Sequence, residues 1–579
     1  VIGDALRTHA AGLGVEVVYE DVDQVIHEAD EHVVARVVEV LDADRRNHTD
    51  GIVAPIHLDP ARPVPVTGRP TDAELLVDGT SVAVSLGADG IDLPTGLPFG
   101  CHLLRVEAGE HSAESIVVVA PPEMPGLDPG QRTSSLFVPT YALWESDDPL
   151  PSFGHLAALA SNVADLGVDM VATLPLYATF LHEPFDPSPY SPISRLHWNE
   201  VYLSDDSLPA APLPVFTDNV DWRVLAERRR GQLIRAAVDA DDTLVGELDR
   251  FAAAHPDVGS FARFMASRES GGDVVVERSH VLAQNLADRE LAAIGADGSA
   301  SLSLDLPIGS NPLGWETWAH PHLFAESMSV GAPPDTFFTE GQNWGFSPQL
   351  PTAMRRSGYE LWRQMIARAA RYCDLLRIDH VMAVHRLWWV PEGQPADRGV
   401  YVRYPHDELL AVIAAEAAAT GVGIVGENLG TVPPEVDAAL SEWNVLGMYE
   451  EQFHLDGPSL GDIPSRSVAG VRTHDMAPFA TVDADPTRAD SLSEYRDCLA
   501  PTDTPKAPLL DAIIERLADS EAQMIVVDLD DLVDETRPHN LPGRVVDGIW
   551  QRRLDRPTSE TLADARVVRR LGLLERNPS

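Results

Sequence analysis

The chain has 579 residues, with 43 Lys and Arg against 90 Asp and Glu, a formal net charge of −47, and 44% apolar residues. That length supports a large core and more than one domain, while the acidity argues against nucleic acid, whose phosphates it would repel. Lys506 is the only lysine, so the Gly-Lys pair of a Walker-type phosphate loop is missing, and no apolar run is long enough to span a bilayer.

Taken from the start, VIGDALRTHA lacks the basic region and following hydrophobic stretch of a secretory leader. Residues 1–60 read as a small, mainly helical region, on helix-like periods such as Val33, Val34, Val37, Val38 and Leu41. Residues 61–125 have another texture. Short β-rich runs (AELLVDG, SVAVSLG, HLLRVEAG, SIVVVAP) are divided by Gly, Asp and Pro turns, the pattern of a small antiparallel β-sandwich. PPEMPGLDPGQ at 121–131 has linker composition. The cysteines Cys101, Cys373 and Cys498 are odd in number and widely spaced. That fits buried small hydrophobes in a reducing cytoplasm better than a disulfide framework or a Cys-rich metal site.

From 132 to 579 apolar runs alternate with helical segments. The runs are SLFVPTYAL, DMVATLPLYA, SLSLDLPIG, LLRIDHVM, GIVGENLG, VLGMYEEQF, VAGVRTHDM and AQMIVVDLDDL. Near-continuous apolar runs between helices predict a parallel sheet, and this number of them predicts an α/β fold closed as a (β/α)8 TIM barrel. A partly helical insertion, about 205–295, separates the second and third runs and contains WRVLAERRRGQLIRAAV.

Active residues of such a barrel sit at the carboxyl ends of its strands. The fourth run ends in Arg377-Ile378-Asp379-His380, the fifth in Gly426-Glu427-Asn428 and the seventh in Thr473-His474-Asp475. A single polar residue at a strand end ordinarily satisfies a loop backbone. Three carboxylates at three strand ends point instead to glycoside chemistry, where one group attacks the anomeric carbon and another protonates the leaving oxygen and later deprotonates the incoming hydroxyl. Arg377 lies two residues before Asp379, on the same strand face, where its charge would keep Asp379 ionised.

With these residues in place, the chain from about 137 to 555 resembles the 4-α-glucanotransferases of the amylomaltase type, glycoside hydrolase family 77. SPYSPISRLHWNEVYL (188–203), DLPIGSNPLGWETWAHPHLF (305–324), PPDTFFTEGQNWG (333–345), RIDHVMAVHRLWWVPEG (377–393), YVRYPHDEL (401–409), GENLGTVPPEV (426–436), THD (473–475) and RPHNLPG (537–543) follow in family order. The resemblance implies retaining transfer of α-1,4-glucan segments between maltodextrin chains, without metal or organic cofactor. It implies Asp379 as nucleophile, Glu427 as acid/base and Asp475 as a third carboxylate that grips sugar hydroxyls. It further implies that Arg377 orients the nucleophile, that His380 and His474 hydrogen-bond the sugar, and that Tyr190, in a signature opened by Ser188, stacks on it. Gln342 and Trp344 match a mobile loop over the acceptor side. Trp388 and Trp389 read as core.

The sequence departs from the family pattern in four places. Leu313 in Asn311-Pro312-Leu313-Gly314 replaces an Asp that helps hold substrate. Ala383-Val384-His385 follows the nucleophile. Asp483 and Asp485 stand where an aromatic-rich run is expected, and SFGHLAAL (152–159) lacks a Gly-Ile-Gly-Asp character. Leu313 motivates the alternative of a retaining α-glucosidase or glucosyltransferase on an atypical α-glucoside; a non-catalytic carbohydrate-binding relative is the other. Two further motifs are set aside. Gly457-Pro458-Ser459-Leu460-Gly461 fits G-x-S-x-G, but Pro464 opposes the helix that a nucleophile elbow needs. His27 and His32 are five apart, so they do not share a helix face for zinc.

Overall fold

The apolar runs are the strands of one parallel sheet in the computed structural model: β1 (Thr133–Phe137), β2 (Met170–Ala172), β3 (Ser301–Leu306), β4 (Leu375–Ile378), β5 (Gly423–Gly426), β6 (Gly447–Glu450), β7 (Ser467–Gly470) and β8 (Met524–Asp528). The order across the eight-stranded sheet is β5-β4-β3-β2-β1-β8-β7-β6, the sequential order of a nearly closed (β/α)8 barrel. The register is parallel throughout the pairs β1–β2, β1–β8, β2–β3, β6–β7 and β7–β8. Every residue of β5 and β7 is buried, which is why these strands read as continuous apolar runs rather than alternating ones. The described residues are 2–20, 25–47, 51–87, 90–128, 130, 132–215, 217–296, 298–334, 338–429, 432–456, 460–499, 507–542 and 548–574.

The chain forms two compact units. The first comprises Val1–Gly126, Ile308–Arg371 and Ile378–Val445. Its N-terminal region holds the helix Glu31–Asn47, buried along Val33, Val34, Val37, Val38 and Leu41. It also has strands at Val15–Glu16, Val18–Glu20 and Ile26–Glu28, too short to leave a period in the sequence. Asp44 of the helix accepts from the N–H groups of Thr352 (2.8 Å) and Ala353 (3.0 Å), capping the helix Pro351–Arg356 from a distant segment.

Residues 56–119 form a five-stranded and a three-stranded sheet. Gly100–Ala108 alternates buried and open positions, and Val64, Leu75, Ile91, Leu104, Val106 and Val117 share one core. A further five-stranded sheet runs Val15–Glu16, Val400–Arg403, Arg386–Pro391, Met328–Ala332, Gln342–Phe346. Trp388 and Trp389 are fully buried in it.

The second unit comprises Leu127–Pro307, Tyr372–Arg377 and Leu446–Ser579. Its insertion is four helices: α1 (Trp222–Val238), α2 (Asp242–Ala254), α3 (Pro256–Ser270) and α4 (Val274–Ala292). Asp221, Asp241 and Asp273 cap α1, α2 and α4. The helix α3 starts on Pro256 and stops at Gly271, in the left-handed region, as the chemistry of helix ends favours. Arg229 and Arg230 of the arginine-rich α1 are nonetheless buried. Arg229 pairs with Asp205 at 2.9 Å and Arg230 with Glu200 at 3.1 Å, so its charges are matched inside rather than solvated.

Candidate active site at the strand ends

In the first unit, Asp379 follows the last residue of β4 and Glu427 follows the last residue of β5. The backbone ties them closely. The Glu427 N–H donates to the Ile378 carbonyl (2.9 Å), and the Val381 N–H donates to the Glu427 carbonyl (3.0 Å). Glu427 Oε2 accepts from the His380 N–H at 2.8 Å, and Oε1 accepts from the Leu429 N–H at 3.0 Å. His380 adopts φ 44°, a left-handed conformation uncommon outside glycine and characteristic of functional turns. Gly426 is required for the close approach, since a Cβ there would stand 2.8 Å from the Val381 side chain. Burial pushes the His380 imidazole down to about 4, so near neutral pH it is an uncharged ring able to donate and accept. Trp344 meets that ring edge-on, centroids 5.2 Å apart. Gln342 and Trp344 lie on the edge strand Gln342–Phe346, antiparallel to Met328–Ala332, and not in a loop as the sequence reading has them. Residues 335–337 of the same motif lie outside the described residues.

In the second unit, Tyr190 Oη donates to Asp305 Oδ2 at 2.6 Å. Arg377 Nη1 donates to both oxygens of the same carboxylate at 2.8 Å, and its Nε lies 3.4 Å from Met448 Sδ. Sequence spacing relates Arg377 to Asp379; it gives no hint of Asp305, which is buried in β3. Ser188 builds the turn that presents Tyr190: its Oγ accepts from the Tyr190 N–H (3.3 Å), and its own N–H donates to Asp186 (3.0 Å). The Tyr190 ring stacks on His474, centroids 5.0 Å apart and 9° from parallel. Phe137 stacks on His474 at 6.0 Å, and Trp550 tilts against both His474 and Tyr190 at 6.0 and 5.9 Å. Burial lowers the His474 imidazole, against the opposing pull of Asp475. Asp475 Oδ1 lies 3.2 Å from His474 Nε2 and accepts from Asn540 Nδ2 at 2.5 Å.

Next in sequence to these groups is a charged network. Arg472 bonds Asp531 through Nε (2.9 and 3.0 Å) and pairs with Asp528 at 2.8 Å. Asp530 meets His539 at 3.1 Å and is bonded by Arg552. Burial raises Asp528 to about 7, against the pull of Arg472. Asp530 is buried too, yet His539 and Arg552 hold it below the usual carboxylate range.

The strand-end rule reaches further than the carboxylates read from sequence. Asp305 on β3, Glu450 at the end of β6 and Asp528 at the end of β8 are all buried, and Gly470 lies beside Glu450, where a Cβ would stand 2.8 Å from its Oε2. His27 lies on a strand and His32 in the following helix, so they share no helix face. Residues 457–459 of the G-x-S-x-G match lie outside the described residues. Among the described residues, no group of three or more His, Cys, Asp and Glu stands ready to hold a metal, and no helix is long and apolar enough to cross a membrane.

A family model described as 4-alpha-glucanotransferase, glycoside hydrolase family 77, matches residues 138–297 and 276–559. The 4-alpha-glucanotransferase of Mycobacterium tuberculosis is 29% identical over 538 residues, covering 75% of this chain and 74% of that protein. The Haemophilus influenzae 4-alpha-glucanotransferase is 26% identical over 570 residues, covering 82% and 79%. In fold, the chain is similar to the crystal structure of amylomaltase from Corynebacterium glutamicum (TM-score 0.86, 23% identity, 99% and 100% covered). It is also similar to amylomaltase from Streptococcus agalactiae in complex with acarbose (TM-score 0.67, 21% identity, 76% and 98% covered). With the family model spanning most of the chain and a barrel bearing carboxylates at its strand ends, the chain belongs to glycoside hydrolase family 77 and is a 4-α-glucanotransferase.

Proposed function

We propose that Asp379 and Glu427 carry out a retaining double displacement that moves α-1,4-glucan segments between maltodextrin chains. Glu427 gives its proton to the glycosidic oxygen as the Asp379 carboxylate attacks C1 from the opposite face. The C1–O bond breaks, the shortened donor leaves, and a β-glycosyl ester remains on Asp379. The 4-hydroxyl of an acceptor glucan then attacks C1 and gives its proton to Glu427. The ester bond breaks, restoring the Asp379 carboxylate and the α-linkage.

The observation that carries this reading is the bond from the His380 N–H to Glu427 Oε2, which fixes one carboxylate against the residue that follows the other. The two backbone N–H donors on Glu427 hold its carboxylate in one orientation through both halves of the reaction.

In the same reading Asp475 grips sugar hydroxyls, Tyr190 offers a ring face to a pyranose, and neutral His380 and His474 bond hydroxyls without a fixed charge. Arg377, Ser188, Gln342 and Trp344 complete the substrate contacts. The small number and wide spacing of the cysteines, Cys101, Cys373 and Cys498, support a reducing compartment such as the cytoplasm. Product analysis with maltotriose tests the proposal. A ladder of longer and shorter oligosaccharides is the expected result; glucose and maltose alone would mean hydrolysis, and an unchanged substrate would mean a different glucoside.

A further inference from the structure

The late motif around Asn540 has no place in the chemistry so far. We propose that Asn540 and His539 are positioning residues for Asp475, an inference that rests on the role given to Asp475 above. Asp475 is about half exposed, so its carboxylate has little packing to hold it. Its Oδ1 is instead pinned by the Asn540 amide at 2.5 Å, with His474 Nε2 at 3.2 Å.

Asn540 is in turn placed by its neighbour. His539 is buried, with the Tyr141 hydroxyl 2.9 Å from Nδ1 and Asp530 Oδ2 3.1 Å from Nε2. Arg552 bonds Asp530 and lies 2.7 Å from the same Nε2. Arg552 Nη2, which can only donate, stands between His539 Nε2 and Asp530 Oδ2 and bonds both, while the Tyr141 hydroxyl bonds Nδ1, so both ring nitrogens are held. The His539 carbonyl accepts the Trp550 N–H at 3.0 Å, and the Trp550 ring lies against Tyr190 and His474. One locked histidine thus anchors both the amide on Asp475 and the aromatic group beside it.

The physical consequence concerns the transition state. A carboxylate that must grip hydroxyls as the sugar ring flattens contributes most when it is already oriented, because ordering it during the reaction adds to the barrier. Removal of such support costs roughly 10- to 100-fold and falls on kcat rather than KM.

The test uses the full-length enzyme disproportionating maltotriose. Asn540→Ala is expected to lower kcat roughly 10- to 100-fold with KM within about threefold and an essentially unchanged melting temperature. Asn540→Asp, which sets an anion against an anion, is expected to be worse than Asn540→Ala. His539→Gln, which keeps a hydrogen-bonding group near Nε2, is expected to retain more kcat than His539→Ala at matched stability. Asn540→Ala with kcat within about twofold of the parent would overturn the proposal, as would losses across the four variants that simply follow their melting temperatures. Asp475→Asn separates the two levels of argument. If it is nearly inactive while Asn540→Ala is normal, only the positioning role fails. If Asp475→Asn is active, or the parent leaves maltotriose unchanged, the reading of Asp475 fails and this inference with it.

Discussion

The backbone N–H of His380 donates to Glu427 Oε2 at 2.8 Å, so the residue after the proposed nucleophile holds the proposed acid/base. That bond joins the ends of two neighbouring barrel strands and depends on the left-handed turn at His380. The first prediction follows from it. Asp379→Asn and Glu427→Gln are each expected to lower kcat on maltotriose by about a thousandfold or more, as loss of nucleophilic or acid/base participation does, while far-ultraviolet circular dichroism and melting temperature stay close to the parent. Near-normal turnover by either variant would remove that residue from the mechanism.

Gly426→Ala tests the packing beneath the pair. The new methyl group would stand 2.8–2.9 Å from three atoms of Val381, so strand and turn must separate. Overpacking of this kind costs about 1–3 kcal/mol, and the shift would also move Glu427. Urea unfolding and kcat should therefore both fall. A further Val381→Ala change, which removes the two Cγ atoms and leaves only Cβ at 2.9 Å, should recover part of each.

Much of this site was legible in the sequence because buried parallel strands have to be continuous apolar runs, and polar residues closing such runs have to lie at the barrel mouth. Asp379, Glu427 and Asp475 emerge from that logic alone. The Tyr190–Asp305–Arg377 connection does not, because its two links join residues 115 and 72 positions apart and show no local period. Asp305 could still have been found, since it closes the third run much as Asp379 closes the fourth. The loop placement of Gln342 and Trp344 comes from the family resemblance alone; their strand is a short edge element with only Phe346 buried, too brief to leave a period in the sequence. The network of Asp528, Asp530, Asp531, Arg472, His539 and Arg552 was illegible for another reason: its charges are buried through one another, and composition records only that they exist.

Leu313 occupies the tip of the turn Asn311–Gly314 and is 53% exposed. Its N–H is taken by Asn311 Oδ1 at 2.9 Å, so the side chain at 313 is not what holds the turn. Leu313→Asp should therefore fold as the parent does and change kcat/KM on maltotriose less than about threefold. A gain of roughly tenfold, about 1.4 kcal/mol of transition-state binding, would instead mark the parent as adapted to a glucoside with no hydroxyl at that point.

Stability should fall as acid is added. Burial, with His406 adding to it, holds His385 down at about 4, and burial alone holds His380 there, against 6.5 for the free side chain. Between those values the unfolded chain binds protons that the folded one refuses. Stability from these histidines is therefore fully present above about pH 6.5 and is lost as pH falls toward 4. Melting temperature measured from pH 7.5 to 4.5 should decline more steeply for the parent than for His385→Gln, which cannot titrate there. Parallel curves would show that His385 does not contribute.

The central claim is that a glucan is held covalently on Asp379 between donor and acceptor. A slow fluorinated α-glucosyl donor, mixed with enzyme and followed by proteolysis and peptide mass spectrometry, tests it most directly. The account predicts one added glycosyl group on the peptide that contains Asp379, with no adduct on Asp379→Asn, and α-configured transfer products from the unmodified substrate. A sugar on any other residue, or products of inverted anomeric configuration, would contradict it.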